Sequence, residues 1–246
     1  GWANSVFKNK NSVENIDKLW DLIFMINRIN DVNPVKSWEL HFEKLEKYKT
    51  YLNNKRFKTL HYKSEKTNVT IDLPKEHIWF AAQEKTKSGI IFSANIPTEE
   101  VFTLPHKYGV NGTISSTFPL QYSGNTIDEF TLTFKDGKII SFSAEKGYEI
   151  LRDLISLDEG ASYLGEVAIV PIDSPIYQSR TIFCNTLYDE NASCHFAIGS
   201  AYPNTITNGE SFSSEDKEIH GVNDSITHVD FMVGDHNLSI TGETYS

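Results

Sequence analysis

The last third of the chain sets ionisable side chains inside segments that otherwise read as core: Gly165-Glu166-Val167-Ala168-Ile169-Val170, Asn191-Ala192-Ser193-Cys194-His195-Phe196-Ala197 and His228-Val229-Asp230-Phe231-Met232-Val233. A carboxylate or imidazole inside a buried segment is costly unless it is paired or bound to a metal. Several such placements in one chain point to a metal site.

Ahead of these segments the hydrophobic period changes once. The first sixty residues read as two amphipathic helices. Asn11, with Glu14 three residues on, opens the first, whose face carries Val13, Ile16, Leu19, Trp20, Ile23 and Phe24. Asn33-Pro34 starts the second, with Val35, Trp38, Phe42, Leu45, Tyr48 and Leu52 in helical register to about Asn53. From Thr59 the period is two, and strands are expected at Leu60–Tyr62, Val69–Leu73, His77–Phe80 and Ile90–Ser93. Asp136-Gly137 between Phe130–Phe134 and Ile139–Phe142 is a hairpin signal. Helices are expected near Gly147 to Leu157 and near Glu190 to Tyr202. No repeat or Pro/Gly/Ser-rich linker divides the chain. The expectation is one mixed α/β (α+β) unit over residues 1–246: N-terminal helices, then a largely antiparallel sheet region with further helices.

The formal charge of -10 makes a nucleic-acid backbone or an anionic membrane a poor partner. The longest apolar run, Leu22-Ile23-Phe24-Met25-Ile26, is far short of the roughly 20 residues a membrane-spanning helix needs. Gly1-Trp2-Ala3-Asn4 carries neither an initiator Met nor a basic-then-apolar signal, so the chain reads as part of a longer protein and not as a secretory precursor. Cys184 and Cys194, in no metal-binding spacing, suit reduced thiols in a cytosolic protein.

His228 and Asp230 stand two apart, so on a strand both point to one face and can meet one ion. His195 and Tyr202, seven apart, would share a helix face. Glu166 opens its segment after a glycine, and Glu99 and Glu100 follow Asn95-Ile96-Pro97-Thr98. Mixed imidazole and carboxylate ligands suit Zn²⁺, Co²⁺ or Mn²⁺ better than Ca²⁺ or Mg²⁺. Two such ions about 3.5–4 Å apart would polarise a carbonyl and activate water, which is hydrolytic chemistry. Motifs for other hydrolase classes, H-E-x-x-H and G-x-S-x-G among them, are absent. Taken singly, each residue has a plainer reading: His228 as a hydrogen-bonded strand histidine, Glu166 as a salt-bridge partner, Tyr202 as a helix terminator, Glu99-Glu100 as a solvated edge. Buried ion-pair networks gather the same groups.

Asn95-Ile96-Pro97-Thr98-Glu99-Glu100-Val101-Phe102-Thr103, Leu164-Gly165-Glu166-Val167-Ala168, Leu187-Tyr188-Asp189-Glu190-Asn191-Ala192-Ser193-Cys194-His195 and His228-Val229-Asp230-Phe231-Met232-Val233-Gly234 closely resemble segments of the thermophilic-type metalloaminopeptidases, the family of aminopeptidases T, S and PepS. They occur in family order, and the resemblance extends over nearly the whole chain. It implies a cytoplasmic, broad-specificity aminopeptidase acting on short peptides, with two divalent ions (Zn, Co or Mn) and a homodimeric assembly. By motif, the implied metal ligands are Glu100, Glu166, His195, His228 and Asp230, with Glu166 as the bridge. Tyr202 matches the family's active-site tyrosine. Glu100 is favoured over Glu99 as ligand, leaving Glu99 as a catalytic candidate, either general base or amine-binding carboxylate. Family members also carry an N-terminal domain that has no counterpart here, so residues 1–246 correspond to the C-terminal catalytic part. The rival expectations are a non-catalytic metal-binding or dimerising fragment, and another dimetal hydrolase such as an esterase or amidase.

Overall fold

The computed structural model describes residues 1–7 and 12–245. Helices α1 (Trp2–Phe7), α2 (Ser12–Ile26) and α3 (Pro34–Lys55) come first. Strands β1 (Phe57–Lys63), β2 (Asn68–Asp72), β3 (Phe80–Ala81), β4 (Gln83–Lys85), β5 (Ile91–Ser93), β6 (Val101–Thr103), β7 (Val110–Ser115), β8 (Leu120–Tyr122), β9 (Asn125–Lys135) and β10 (Lys138–Lys146) lead to α4 (Tyr148–Ile155). Then follow β11 (Leu164–Ile169), α5 (Pro175–Gln178), α6 (Thr186–Asp189), β12 (His195–Gly199), α7 (Ser214–Ile219), β13 (His228–Met232) and β14 (Ser239–Thr244). This is the expected mixed α/β architecture of leading helices and antiparallel sheets.

A seven-stranded sheet runs in the order β10-β9-β7-β2-β1-β14, with β8 pairing β9 off that path, and a five-stranded sheet runs β13-β12-β11-β6-β3. One hydrophobic core joins them. From the larger sheet come Leu60, Tyr62, Ile71, Ile114, Phe130 and Leu132; from the smaller, Val101, Val167, Phe196, Ile198 and Phe231. The rings of Tyr62 and Phe196 meet at 5.0 Å and those of Phe130 and Phe231 at 5.4 Å, bridging the two layers. Helices α3 and α4 add Leu45, Leu52, Leu151 and Leu154.

Local signals explain most element ends. The Asn33 side chain accepts the Lys36 N–H at 3.0 Å, Pro34 occupies the first turn, and α3 closes at Arg56 in the left-handed region. Asp136 and Gly137, at φ 50° and 80°, are both positive, as a two-residue hairpin turn matching the sheet twist requires.

Three expectations need correction. Residues 190–202 are not one helix: a 3₁₀ turn at Glu190–Ala192 gives way to strand β12. The pairing of β12 with β11 and β13 on its two edges supplies main-chain hydrogen bonds that override the helical spacing, so His195 and Tyr202 share no helix face. The strand expected at His77–Phe80 begins only at Phe80; His77 makes an isolated bridge to Ile206. On α2, Leu19 and Ile26 are buried in a small cluster with Ala3, Ile176, Phe183 and Ala192, whereas Val13 and Trp20 of the expected core face are 68% and 53% exposed. The helix packs against α1 and α5, and among the described residues one side of its broad stripe is left uncovered. Its expected opening residue, Asn11, lies outside the described residues.

Phe130 is 1% exposed between the two layers. Phe130→Ala is expected to cost about 3–5 kcal/mol of stability, read by urea unfolding, because the rigid sheets cannot collapse into the vacated volume.

Candidate metal centre

The smaller sheet has two unlike faces, set by register. Glu166 pairs with Ala197, Ala197 with Asp230, Ala168 with His195 and Gly199 with His228. Directly paired residues point to the same side of a sheet, so Glu166, His195, His228 and Asp230 share one face. The intervening positions Ala168, Ala197 and Gly199 are small and leave room above them. The opposite face carries Val167, Phe196, Ile198 and Phe231, all fully buried in the core. Glu100 is delivered from the residue before β6, which pairs with β11.

Gly165 sits where the β11–β12 register shifts, just ahead of Glu166. A Cβ there would lie 2.3 Å from the carbonyl oxygens of both Gly199 and Ser200. Only a glycine lets the strands close at this point.

Two triads result, Glu100–Glu166–His195 and Glu166–His228–Asp230, each with ligand-type atoms within 4.8 Å of one another. Glu166 belongs to both. His195 Nε2 lies 3.0 Å from Glu100 Oε2 and 3.5 Å from Glu166 Oε1, and His228 Nε2 lies 3.3 Å from Asp230 Oδ1 and 3.6 Å from Glu166 Oε2. The Nδ1 atoms are engaged elsewhere: His195 Nδ1 donates to the Ser193 carbonyl at 3.1 Å and His228 Nδ1 to the Ser200 carbonyl at 2.7 Å. A carbonyl can only accept, so Nδ1 carries a proton in each ring and Nε2 is turned toward the cluster, the orientation of a histidine that ligates metal once Nε2 has given up its proton.

Two carboxylate oxygens make the donor set's purpose sharper. Among the described residues Glu100 Oε2 and Asp230 Oδ1 are out of contact with solvent and accept no hydrogen bond of normal geometry, facing the Nε2 atoms of His195 and His228. Buried oxygens of this kind are ordinarily satisfied, and a cation between the triads would satisfy both. The residues therefore fit one or more divalent ions of the Zn²⁺, Co²⁺ or Mn²⁺ type.

Without an ion the cluster retains protons. Burial pushes Glu166 up to about 7, helped by Asp230 and Glu100 and opposed by His195. Burial and the charges of Asp230 and Glu100 lift Glu190 to about 9. Burial would lower both histidines, but the carboxylates facing them outweigh it: His228 is raised to about 9 and His195 well above its ordinary value. Asp230 is held low by His228 in spite of its burial.

Glu190 was not among the residues singled out from sequence. It begins the 3₁₀ turn after α6 and lines the same cavity, of about 280 Å³, as Glu100, Glu166, His195, His228 and Asp230. Its position five residues before His195, in one of the motif segments, was the available signal; reading that stretch as a helix start concealed it. The preceding Asp189 turns the other way, its carboxylate accepting the Phe183 and Asn185 N–H groups at 2.7 and 3.0 Å.

Tyr202 also lines the cavity, its ring 4.7 Å from that of His228 and 6.0 Å from that of Phe102. Burial and the surrounding carboxylates push its hydroxyl well above the ordinary tyrosine range, so it remains a donor. Glu99 is not brought to the cavity. It is 2% exposed, and its carboxylate takes both ends of the Arg28 guanidinium, Nη1–Oε1 at 2.6 Å and Nη2–Oε2 at 2.9 Å. A larger open depression, about 1370 Å³ beside Trp2 and Arg180, includes none of these residues.

Fold and site together describe an antiparallel sheet carrying a carboxylate–imidazole cluster of the kind that can hold divalent metal. The thermophilic metalloprotease (M29) family model matches residues 1–246, and the chain belongs to that family. It is 52% identical over 243 residues to aminopeptidase 2 of Geobacillus stearothermophilus, covering 99% of this chain and 59% of that protein. For aminopeptidase AmpS of Bacillus subtilis the identity is 52% over 244 residues, covering 99% and 60%. Among solved structures, wild-type AmpT from Thermus thermophilus matches with a TM-score of 0.91 at 38% identity, over 99% of this chain and 58% of that one. The family resemblance seen in the motifs is thereby confirmed, and the chain spans about three-fifths of the length of the curated relatives it matches.

Glu166 and Glu190, ordinarily at 4.5, and His228, ordinarily at 6.5, are all raised in the folded chain. A raised group stabilises the fold below its unfolded value and loses that contribution as pH climbs through its folded value. The window runs from 4.5 to about 7 for Glu166, from 4.5 to about 9 for Glu190 and from 6.5 to about 9 for His228. Chelator-treated protein is therefore expected to melt at progressively lower temperature from pH 6 to pH 9, and added Zn²⁺ or Co²⁺ to reverse the decline by supplying the positive charge that the departing protons take away. Thermal unfolding across that range, with and without metal, checks this.

Proposed function

We propose that this chain carries the catalytic centre of a metal-dependent aminopeptidase, releasing N-terminal residues from short peptides in the cytoplasm as a homodimer. The observation that carries the reading is the pair of triads sharing Glu166, with buried carboxylate oxygens left unsatisfied, in a chain of the thermophilic metalloprotease family. The cavity's charge supports an exopeptidase that takes the amino end: Glu84, Glu100, Glu166, Glu190 and Asp230 all line it. Such a field attracts the α-ammonium group of a peptide and repels its carboxylate end.

Glu100, Glu166 and His195 would hold one ion and Glu166, His228 and Asp230 a second. When bound, the ions would polarise the scissile carbonyl and activate a water. Glu190 stands in the same wall and belongs to neither triad. With cations offsetting the burial and the neighbouring carboxylates that hold its proton, its carboxylate would accept a proton from the attacking water and pass it to the departing amine, the work of a general base and then acid. Tyr202, kept protonated by its surroundings, donates its hydroxyl to the oxygen on which negative charge develops.

Three outcomes test this. Leucyl fluorogenic substrate should be cleaved with added Co²⁺, Zn²⁺ or Mn²⁺, while the N-acetylated substrate should resist; cleavage of both would indicate an amidase or esterase instead. Glu166→Gln and His228→Ala should lose turnover, at least about 100-fold, with the thermal unfolding of a folded protein retained; unchanged turnover in both removes the ligand assignment. Tyr202→Phe should lower kcat by about 10²-fold and leave KM close to that of the parent, as expected for a donor engaged only in the transition state.

A further inference from the structure

Glu99 and Asn191 each adjoin a cavity carboxylate, Glu100 and Glu190, and they are bonded to each other: the Glu99 N–H donates to Asn191 Oδ1 at 2.7 Å. Asn191 is pinned in turn, its Nδ2 donating to the Leu187 carbonyl at 2.9 Å and its own carbonyl accepting from Ser174 Oγ at 2.7 Å. The Glu99 side chain meets Arg28 in a two-pronged ion pair almost out of solvent, with side-chain exposures of 3% and 14%. Arg28 sits just past the end of α2 at φ 59°, and its guanidinium lies 4.7 Å from the centre of the Trp38 ring on α3. Trp38 Nε1 donates to the Asn27 carbonyl at 2.9 Å, tying α3 back to the Arg28 turn. His41, also on α3, donates from Nε2 to the Thr98 carbonyl at 2.8 Å and stands 3.4 Å from Glu99 Oε2.

We propose that the Arg28–Glu99 pair is a positioning device for the metal centre: anchored on α2 and α3, it acts through the Glu99 backbone and Asn191 to hold Glu100 and Glu190 at one spacing across the cavity. The inference rests on the reading of the cluster as a metal centre. Two arguments carry it. A buried ion pair is a poor stabilising device, since an apolar pair of similar size commonly serves as well or better. What it adds is directional rigidity, because a guanidinium gripping both carboxylate oxygens fixes orientation as well as distance. Moreover, Glu99 and Glu100 are consecutive residues just ahead of β6 whose side chains part, Glu99 to Arg28 and Glu100 to the cavity. Fixing Glu99 on the helix side therefore fixes the direction of Glu100 on the cavity side.

The test is Co²⁺ binding to chelator-stripped protein, measured by competition with a chelating dye and by the visible absorption of the bound ion, alongside thermal unfolding. The variants are Glu99→Gln, Arg28→Lys and the double Arg28→Met/Glu99→Leu, which removes both buried charges together. The double variant should unfold near the parent temperature yet bind Co²⁺ about 10–100-fold more weakly, with an altered spectrum, the size of effect that loss of a ligand-orienting partner produces. Arg28→Lys, which keeps the charge and loses the fork, should fall between. Lys44→Met, which breaks the more exposed pair between Lys44 of α3 and Asp173, should bind as the parent does. A folded double variant that binds Co²⁺ within about twofold of the parent, with the same spectrum, overturns the proposal; should the double variant not fold, the same criterion applied to Glu99→Gln and Arg28→Lys decides it. If the parent itself takes up no Co²⁺, the metal-centre reading fails and this inference with it, an outcome distinct from parent-like binding in the variants.

Discussion

Glu166 is the constraint around which the structure is arranged. The residue is 4% exposed, and its carboxylate faces two imidazoles and belongs to both ligand triads, so it can neither be hydrated nor neutralised by one partner alone. Concentrating negative charge around it, with Glu100, Glu190 and Asp230, is tolerable in two conditions: when protons are retained or when cations replace them. Burial and neighbouring carboxylates raise Glu166 and Glu190, and the carboxylates facing them raise both histidines, which is the first course. A divalent ion offers the second.

The sheet that holds Glu166 makes this affordable by dividing its labour between faces. On one side Val167, Phe196, Ile198 and Phe231 interlock with Tyr62 and Phe130 of the larger sheet. On the other, small residues at the paired positions leave the ligands standing over open space. The aromatic packing beneath fixes the strands, and the strands fix the ligands, so the precision of the site derives from the apolar core. The segments carrying Glu100 and Glu190 lie outside the regular pairing and gain their order from side-chain bonds through Glu99, Asn191 and Ser174.

Much of this was legible from spacing and chemistry. The helix capped by Asn33, the Asp136-Gly137 hairpin and the change of period near Thr59 depend on local backbone preferences, which act over a few residues. His228 and Asp230 fall on one face because a strand alternates with period two. Residues 190–202 were misread because an apolar run with small residues satisfies both periods, and the choice was made by two neighbouring strands far away in sequence. Glu190 was hidden by the same error.

Residue order alone marks which side chains need partners: a carboxylate after Gly165, an imidazole after Cys194, a His-x-Asp pair in a strand, and the order of these motifs along the chain. Their chemical identity already demanded partners, since burial of charge is costly whatever the fold. The tertiary structure alone decided who those partners are. It set Glu100 beside His195, 95 positions away, placed Glu190 in the cavity wall, and turned Glu99 outward to Arg28, although nothing local distinguishes Glu99 from Glu100. The reason is that ligand geometry is a property of strand register and inter-element packing, which sum contacts over the whole chain, whereas sequence spacing constrains only neighbours on one element.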